Sequence, residues 1–332
     1  MNNPLISIIL PTYNVYSYLA QCLDSIVAQT YKNIEVIIVI DGANDGSYEL
    51  AKEYCQRDRR FSVYWQENAG SGPARNNGLL HANGQFVIFI DPDDWVKEDF
   101  VETMVHLIEK DDYDLVTTKE TAVYFNDKGK QTSIVEYHSE NKVIKGQEDV
   151  RKSYVELLSK GLIAAPHCKI YKNSIIKQNN IRFPDLRRSQ DVVFNYRYYN
   201  YISNVLVCDY SGYMYRVLRK DRALRLPKDY YLTIKVLYAD ICKLHQSWNI
   251  AFDKLTVCND FYVSIQAHLE SNIIRGQSIK NIVEDETIYD IIKSSRPTKI
   301  HFALTRWLIL RRHYLCASWL ISALYHIKAI IH

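Results

Sequence analysis

Along the first 118 residues, short continuous apolar runs alternate with longer stretches in which apolar positions recur every three or four residues. The runs are Ile6-Ser7-Ile8-Ile9-Leu10, Val36-Ile37-Ile38-Val39-Ile40 and Phe86-Val87-Ile88-Phe89-Ile90. Near-continuity, as opposed to strict alternation, is the pattern of a strand covered on both faces. The stretches 18–28, 47–57 and 73–82 read as helices, 61–65 as a weaker strand, 98–110 as a further helix and 114–119 as another strand. Such alternation predicts an α/β fold, a mostly parallel sheet flanked by helices. Residues 120–165 carry no clear period. From position 221 onward strand signals thin out and a 3.6-residue period takes over through 226–249, 261–274 and the tail. The expected organisation is therefore an α/β domain at 1–220 and a helical C-terminal domain at 221–332.

Each main run ends in a polar turn: Pro11-Thr12-Tyr13-Asn14, Asp41-Gly42-Ala43-Asn44-Asp45-Gly46 and Asp91-Pro92-Asp93-Asp94. In open α/β sheets ligands bind outside the carboxyl ends of the strands, so the three turns are expected to converge on one crevice. Three carboxylates within four residues repel one another and, once buried, call for a cation. All-oxygen donors select a hard ion, Mg²⁺ or Mn²⁺, able to bridge phosphate oxygens. The plainer reading is that Asp93 and Asp94 cap the following helix. Tyr13 offers a ring to stack on a nucleobase and Asp41 an acceptor for a base N–H, although strand-end tyrosines and capping aspartates are commoner. Residues 68–78 join a Gly-rich loop to a helix start bearing Arg75, a combination that suits phosphate or sugar hydroxyls. An ordinary loop with an exposed arginine has the same sequence signature.

The chain has 332 residues, a net charge of +3 and seven cysteines without a CxxC pair, as expected of free thiols in a reducing compartment. Seven Lys or Arg and no acid lie in 291–332, so the rest of the chain is mildly acidic, which argues against nucleic acid as a partner. No basic leader opens the chain, and no apolar stretch reaches the roughly 20 residues of a membrane span. A cytoplasmic protein with a basic, apolar tail is expected. In that tail Trp307, Tyr314, Trp319 and Tyr325 stand among Arg306, Arg311 and Arg312, with Ser318, Ser322 and His326 as a thin polar stripe. Aromatic and basic residues so mixed fit an anionic membrane surface. Packing on the α/β domain or on a second subunit fits equally, and oligomeric state is left open.

The turns, in this order and at these spacings, resemble those of the inverting glycosyltransferases of family 2, with the GT-A fold, of the kind that builds bacterial capsular, exopolysaccharide or other cell-surface polysaccharides. Ser7-Ile8-Ile9-Leu10-Pro11-Thr12-Tyr13-Asn14 is similar to the family's opening strand and P-x-Y-N turn, and residues 22–31 to the helix that follows. Asp41-Gly42-Ala43-Asn44-Asp45-Gly46-Ser47 is similar to its D-G-S-x-D-G-S turn, Ala74-Arg75-Asn76-Asn77-Gly78-Leu79 to its A-R-N-x-G-L helix start, and Asp91-Pro92-Asp93-Asp94-Trp95 to its D-x-D-D-W metal motif. Farther on, Arg188-Ser189-Gln190-Asp191-Val192-Val193-Phe194-Asn195 resembles the segment carrying the catalytic base, flanked by matches at 167–172 and at Tyr213-Met214-Tyr215-Arg216. The resemblance implies that Pro11, Thr12, Tyr13, Asp41, Arg75 and Asp91 bind a nucleotide sugar, most often a UDP-sugar. It also implies that Asp93 ligates Mn²⁺ or Mg²⁺ and that Asp191 is the general base. The acceptor it implies is a saccharide, lipid-linked, at the inner face of the membrane.

Two departures stand out: Ile40 replaces the first acid of D-D-G, and Gln190 replaces the Glu before the base. They keep open a catalytically inactive carbohydrate-binding or scaffold subunit. A sugar nucleotidylyltransferase is a second rival, but it needs a Gly-rich, basic loop where Pro11-Thr12-Tyr13-Asn14 stands. The pair His167-Cys168 suggests a nucleophile, against which strand neighbours point to opposite faces. Tyr196, Tyr198, Tyr199 and Tyr201 suggest an aromatic platform for an acceptor sugar or, more simply, helix packing.

Overall fold

The structure is a computed structural model that describes residues 3–186, 188–218, 226–250 and 253–331. It divides into two compact units, Met1–Arg219 and Lys220–His332. The first holds β1 (Ile6–Thr12), α1 (Tyr16–Val27), β2 (Ile34–Asp41), α2 (Ser47–Arg57), β3 (Phe61–Gln66), α3 (Ser71–His81), β4 (Phe86–Phe89), β5 (Trp95–Val96) and α4 (Phe100–Glu109). It continues with β6 (Leu115–Thr117), β7 (Glu120–Phe125), β8 (Gln131–Glu136), β9 (Lys142–Lys145) and α5 (Gln147–Ser159). Last come β10 (Lys169–Lys172), α6 (Asn173–Gln178), α7 (Gln190–Tyr199), β11 (Asn204–Val207) and β12 (Tyr213–Leu218).

Eight strands form one sheet in the order β3-β2-β1-β4-β10-β6-β11-β9, and β5-β12-β7-β8 form a second. The segment β3-β2-β1-β4 is parallel throughout, with Ile8 opposite both Val36 and Ile88. Its strands are buried on both faces, which is why they read as continuous apolar runs. On one face Ile8, Leu10, Val36, Ile38 and Ile88 share a core with Leu19 and Leu23 of α1 and Met104 and Val105 of α4. On the other, α3 packs against β1 and β2. There Gly78 comes so close to the sheet that a Cβ in its place would lie 2.4 Å from the Ile9 side chain.

Beyond β4 the sheet is mixed. β10 runs antiparallel to β4, with Tyr171 opposite Val87, so the start of β10 lies at the edge where β1, β2 and β4 end. β12 pairs with β5 through Met214 and Trp95, bringing Tyr213 and Arg216 to the 91–94 turn. The poorly patterned 120–165 stretch forms β7, β8, β9 and α5. Its illegibility has a physical cause: β8 is exposed along its whole length and β9 buries only Ile144, so neither strand has an apolar face to announce it.

The second unit is helical wherever its described residues are regular: α8 (Tyr230–Trp248), α9 (Lys254–Ile274), α10 (Lys280–Val283), α11 (Glu286–Ser294), α12 (Ile300–Leu310) and α13 (Tyr314–Ile331). α9 packs against α8, α11 and α13. Asp285 caps α11 by accepting the Thr287 and Ile288 N–H groups at 3.1 and 3.2 Å.

Candidate active site

Turns at the ends of β1 and β2 are tied to each other before they meet any ligand. Asn14, at φ +48° in the left-handed region that Asn tolerates, accepts the Asn44 N–H at 3.2 Å. Asp45 accepts the Tyr16 N–H at 2.9 Å and the Ser47 N–H at 3.1 Å. Asp41, buried at the end of β2, receives the side chain of Gln66 and the N–H groups of Ala69 and Gly70, each at 2.8 Å. One carboxylate thus folds the 66–70 segment, which leads into the Gly-rich loop, over the sheet edge. An ionised carboxylate has about four acceptor sites, so one remains.

A cavity of about 570 Å³ opens there, walled by Pro11, Tyr13, Asp41, Gly70, Ser71 and Ala74 among others. Tyr13 is 50% exposed, with a ring face available for stacking. Thr12 is buried and donates its hydroxyl to the Leu10 carbonyl at 3.3 Å; it does not line the cavity. Ile40 is buried in the core beneath the sheet, so no side chain from that position reaches the cavity.

Beside the cavity wall lies a charged group held by α3, the end of β4 and α7. Arg75, buried on the first turns of α3, donates to Asp91 Oδ1 at 2.6 Å, while His167 Nδ1 stands 3.6 Å from Asp91 Oδ2. Burial by itself raises the Asp91 pKa, but the Arg75 guanidinium with His167 outweighs it and holds the carboxyl well below the usual range. Asp94 is buried and engaged at both oxygens, taking the Tyr213 hydroxyl at 2.8 Å and the Arg216 N–H at 2.7 Å; burial and its acidic neighbours push its pKa well up. Asp93 differs from both. Its carboxylate receives no hydrogen bond from another side chain among the described residues, and burial together with Asp91 raises its pKa. Of the three acids in this turn it is the one whose carboxylate no other side chain among the described residues hydrogen-bonds, which leaves its oxygens for a hard metal ion. The residues fit a Mg²⁺ or Mn²⁺ ion.

Asp191 sits in the first turn of α7, whose N-cap is Ser189 at φ +59°, and accepts the Val192 N–H at 2.9 Å. Burial raises its pKa while Arg75 lowers it and Asp91 adds to the rise, so the three share one electrostatic neighbourhood. Gln190 donates to Ser71 Oγ at 2.6 Å, pinning α7 to the start of α3. At Gly72 any Cβ would press on Gln190 Cγ at 3.1 Å and on the Pro184 carbonyl at 3.2 Å. Gln190 therefore has a structural use at this junction.

Three residues contribute that motif reading leaves without a role. Tyr213 accepts the Asp91 N–H at 3.1 Å while donating to Asp94. Arg216 donates to the Asp93 carbonyl at 2.7 Å and lies over the rings of Tyr18, Trp95 and Phe125. His167 stacks on Tyr213 at 4.7 Å. Their sequence signal is present in the matches at 167–172 and at Tyr213-Met214-Tyr215-Arg216, but the contacts of Tyr213 and Arg216 depend on β12 pairing with β5.

Two expectations need correction. His167 and Cys168 do not sit on opposite faces of a strand, because Cys168 has φ +57° and precedes β10; their donor atoms and a Glu120 oxygen lie within 4.8 Å of one another. Burial and Glu120 push the Cys168 thiol well up, which removes it as a nucleophile. A mixed S, N, O set suits zinc better than Mg²⁺ or Mn²⁺, and the buried Lys169 ammonium beside it, brought down to about 8 by burial, opposes a dication there. Of the four tyrosines weighed as an acceptor platform only Tyr201 is exposed, and the other three follow the helix-packing reading. Tyr196, Tyr198 and Tyr199 are buried, Tyr198 donating to the Asp114 carbonyl at 2.7 Å and Tyr199 packing edge-on to Tyr154 at 5.3 Å.

With this geometry in place, comparisons with known proteins agree. The family model for Glycosyl transferase family 2 matches residues 7–179. The chain is 33% identical over 244 residues to the putative glycosyltransferase EpsH of Bacillus subtilis, covering 72% of this chain and 68% of that protein. The crystal structure of S. aureus TarS 1-349 in complex with UDP-GlcNAc superposes with a TM-score of 0.61 at 20% identity, covering 97% of this chain and 92% of that one. The mannosyltransferase PcManGT from Pyrobaculum calidifontis, in complex with GDP-Man and Mn2+, gives a TM-score of 0.54 at 14% identity over 96% and 86% of the two chains. These structural likenesses show the fold, which is GT-A. The strand-end turns, the matching family model and the EpsH similarity together place this chain in glycosyl transferase family 2, and it is a glycosyltransferase.

Proposed function

We propose that the protein moves a sugar from a UDP-sugar to an acceptor hydroxyl by a single displacement that inverts the anomeric carbon. The observation that carries this reading is the cavity with exposed Tyr13 on one wall and Asp41 on another, beside the Arg75, Asp91 and Asp191 group. Tyr13 stacks on the base, and the remaining acceptor site of Asp41 takes the uracil ring N–H. TarS and PcManGT, crystallised with UDP-GlcNAc and GDP-Man, are neighbours that carry either base, so the choice of uridine rests on Asp41 and the cavity walls.

Asp93, with Asp91 at its side, would hold Mg²⁺ or Mn²⁺, which when bound supplies positive charge for the departing diphosphate. Arg75 orients Asp91, and its buried Nε–H has no partner among the described residues. Asp191 takes the acceptor hydroxyl proton as that oxygen bonds to the anomeric carbon; the bond to the diphosphate oxygen breaks, its electron pair leaving with UDP. Burial favours this role, because a carboxylate whose pKa is raised holds the proton more firmly. The acceptor we read as a saccharide, lipid-linked, used in cell-surface polysaccharide assembly at the inner membrane face. The inactive-subunit reading loses its main support, since Ile40 points into the core and Gln190 is engaged with Ser71.

A thermal-shift series with UDP, GDP, CDP and ADP, each with and without Mn²⁺, tests the reading, since a ligand that binds only the native state raises stability with its affinity. UDP with Mn²⁺ should give the largest shift, and Asp93→Asn should remove only the metal-dependent part. A larger shift with GDP would overturn uridine, equal shifts with and without Mn²⁺ would overturn Asp93, and no hydrolysis of any UDP-sugar would return the scaffold reading.

A further inference from the structure

In most globular helices the apolar side faces the core and the polar side faces water. The last two helices of this chain reverse that on their outward sides. On α12 Ile300, Leu304 and Trp307, spaced for one helical face, are 86, 45 and 50% exposed, while Thr305 and Ile309 are buried. On α13 Leu315, Trp319 and Ile327 are 88, 74 and 50% exposed, while Ala317 and Ile321 are buried. Of the expected polar stripe, Ser318 and Ser322 are half-buried and only His326 is exposed, so the outward positions at 315 and 319 are apolar.

The two helices pack together and are joined by Arg311, Arg312 and His313, all exposed, with Lys299 exposed at the start of α12. No acid follows Asp290 in the sequence. Each apolar stripe is thus flanked by positive charge, with no negative group in the segment to neutralise it. We propose that this surface of the helical unit docks on an anionic lipid membrane. Trp307 and Trp319 sit at the headgroup boundary, Ile300, Leu304 and Leu315 reach the acyl chains, and Lys299, Arg311 and Arg312 pair with lipid phosphates. Among the described residues no helix is long and apolar enough to cross a membrane, so the helices lie on the surface. A second copy of this chain is the poorer occupant, because a symmetric contact through this face would bring Lys299, Arg311 and Arg312 against their own copies.

This inference does not depend on the donor or on Asp191, and it is tested with the full chain. Phosphatidylcholine vesicles with and without 30% phosphatidylglycerol are titrated in, following co-sedimentation and tryptophan emission. Binding should require the anionic lipid and blue-shift the emission. Arg311→Glu/Arg312→Glu should weaken it by more than about 25-fold, since each basic residue near such a surface is worth roughly a factor of five and the substitutions reverse the charge as well as removing it. Leu315→Gln/Trp319→Gln should weaken it on salt-insensitive grounds. Both pairs are exposed and outside the donor cavity, so UDP-sugar hydrolysis should be unchanged and should verify folding. No binding to anionic vesicles, or binding indifferent to both variants, overturns the proposal. So does a dimer that Leu315→Gln/Trp319→Gln dissociates while vesicles fail to bind.

Discussion

The two units of this chain spend their unusual residues in opposite ways. In Met1–Arg219 the exceptional groups are buried and charged or polar: Asp41, Arg75, Asp94, Lys169 and Gln190 all lie inside, most of them tied to a neighbour by hydrogen bonds. In Lys220–His332 the buried polar side chains among the described residues include no Asp, Glu, Lys or Arg, with His245, Gln266, His268 and Asn272 set among Ile234, Ile241, Ile265, Leu269 and Ile288, and the exceptional groups are apolar side chains facing outward on α12 and α13. A buried charge is expensive unless partnered, so a cluster of them marks a place where a ligand or a reaction uses the charge. An exposed apolar stripe is the mirror image, marking a surface that another phase or molecule covers. On the readings proposed above, chemistry belongs to the first unit and attachment to the second.

The sharpest way to break that division is Asp191→Asn. Turnover should fall by about 10²- to 10⁴-fold, the usual contribution of a positioned base, with UDP affinity by calorimetry and vesicle binding unchanged. If more than about a tenth of the rate survives, Asp191 is not the base. In wild type, its raised pKa sets the sign of the pH dependence. The active form is the carboxylate, so kcat/KM should decline as pH falls through a value above the ordinary 3.9 or so of aspartate.

Next in size is Arg75→Met. Removing one partner of a buried ion pair leaves Asp91 uncompensated and costs about 3–5 kcal/mol. Urea unfolding should show this loss, and the Asp91 carboxyl should titrate upward. The paired change Arg75→Met/Asp91→Leu should recover much of the stability while leaving donor binding absent.

In the second unit His268 is a buried imidazole whose titration is displaced by the fold. It is fully buried against Tyr231, and burial, with Arg275, lowers its pKa to about 4. Its unfolded value is near 6.5, so the unfolded chain binds the proton first and the stabilisation is present above that pH and lost as pH falls toward 4. At roughly 1.4 kcal/mol per unit, about 3 kcal/mol should disappear across this window. A His268→Gln variant should flatten the change seen by chemical denaturation. Smallest of all is Asp285→Ala, which removes the α11 cap and should cost about 1 kcal/mol without altering turnover. A loss of activity from either substitution would show that the two units are not separable in function.

Much of the fold is legible because the relevant signals are local. Continuous apolar runs identify β1, β2 and β4, and the helical period from 47 to 57 coincides with α2. β8 and β9 are not legible, since an exposed strand is held by its partners' backbone and needs no apolar pattern. Among site residues, Tyr13, Asp41, Asp91 and Asp93 stand at strand ends, where position along the chain already implies position at the sheet edge, and Arg75 stands on the helix start that follows the Gly-rich loop. Asp191 is different, because in residue chemistry alone it is an acid in the first turn of a helix; only the family resemblance singles it out.

The sequence by itself determined the alternation of strands and helices, the acidic turns at the strand ends, the family and the acid-free basic tail, because each is written in neighbouring residues. Tertiary structure alone decided which carboxylate of Asp91, Asp93 and Asp94 is left without a side-chain hydrogen bond, since Arg75, His167, Tyr213 and Arg216 reach that turn from distant elements. It also decided that Ile40 faces the core, that Gln190 braces α3, and that the outward stripe of α13 carries Leu315 and Trp319. Burial and pairing arise from the whole packed chain, and a one-dimensional pattern specifies a face without saying what that face will meet.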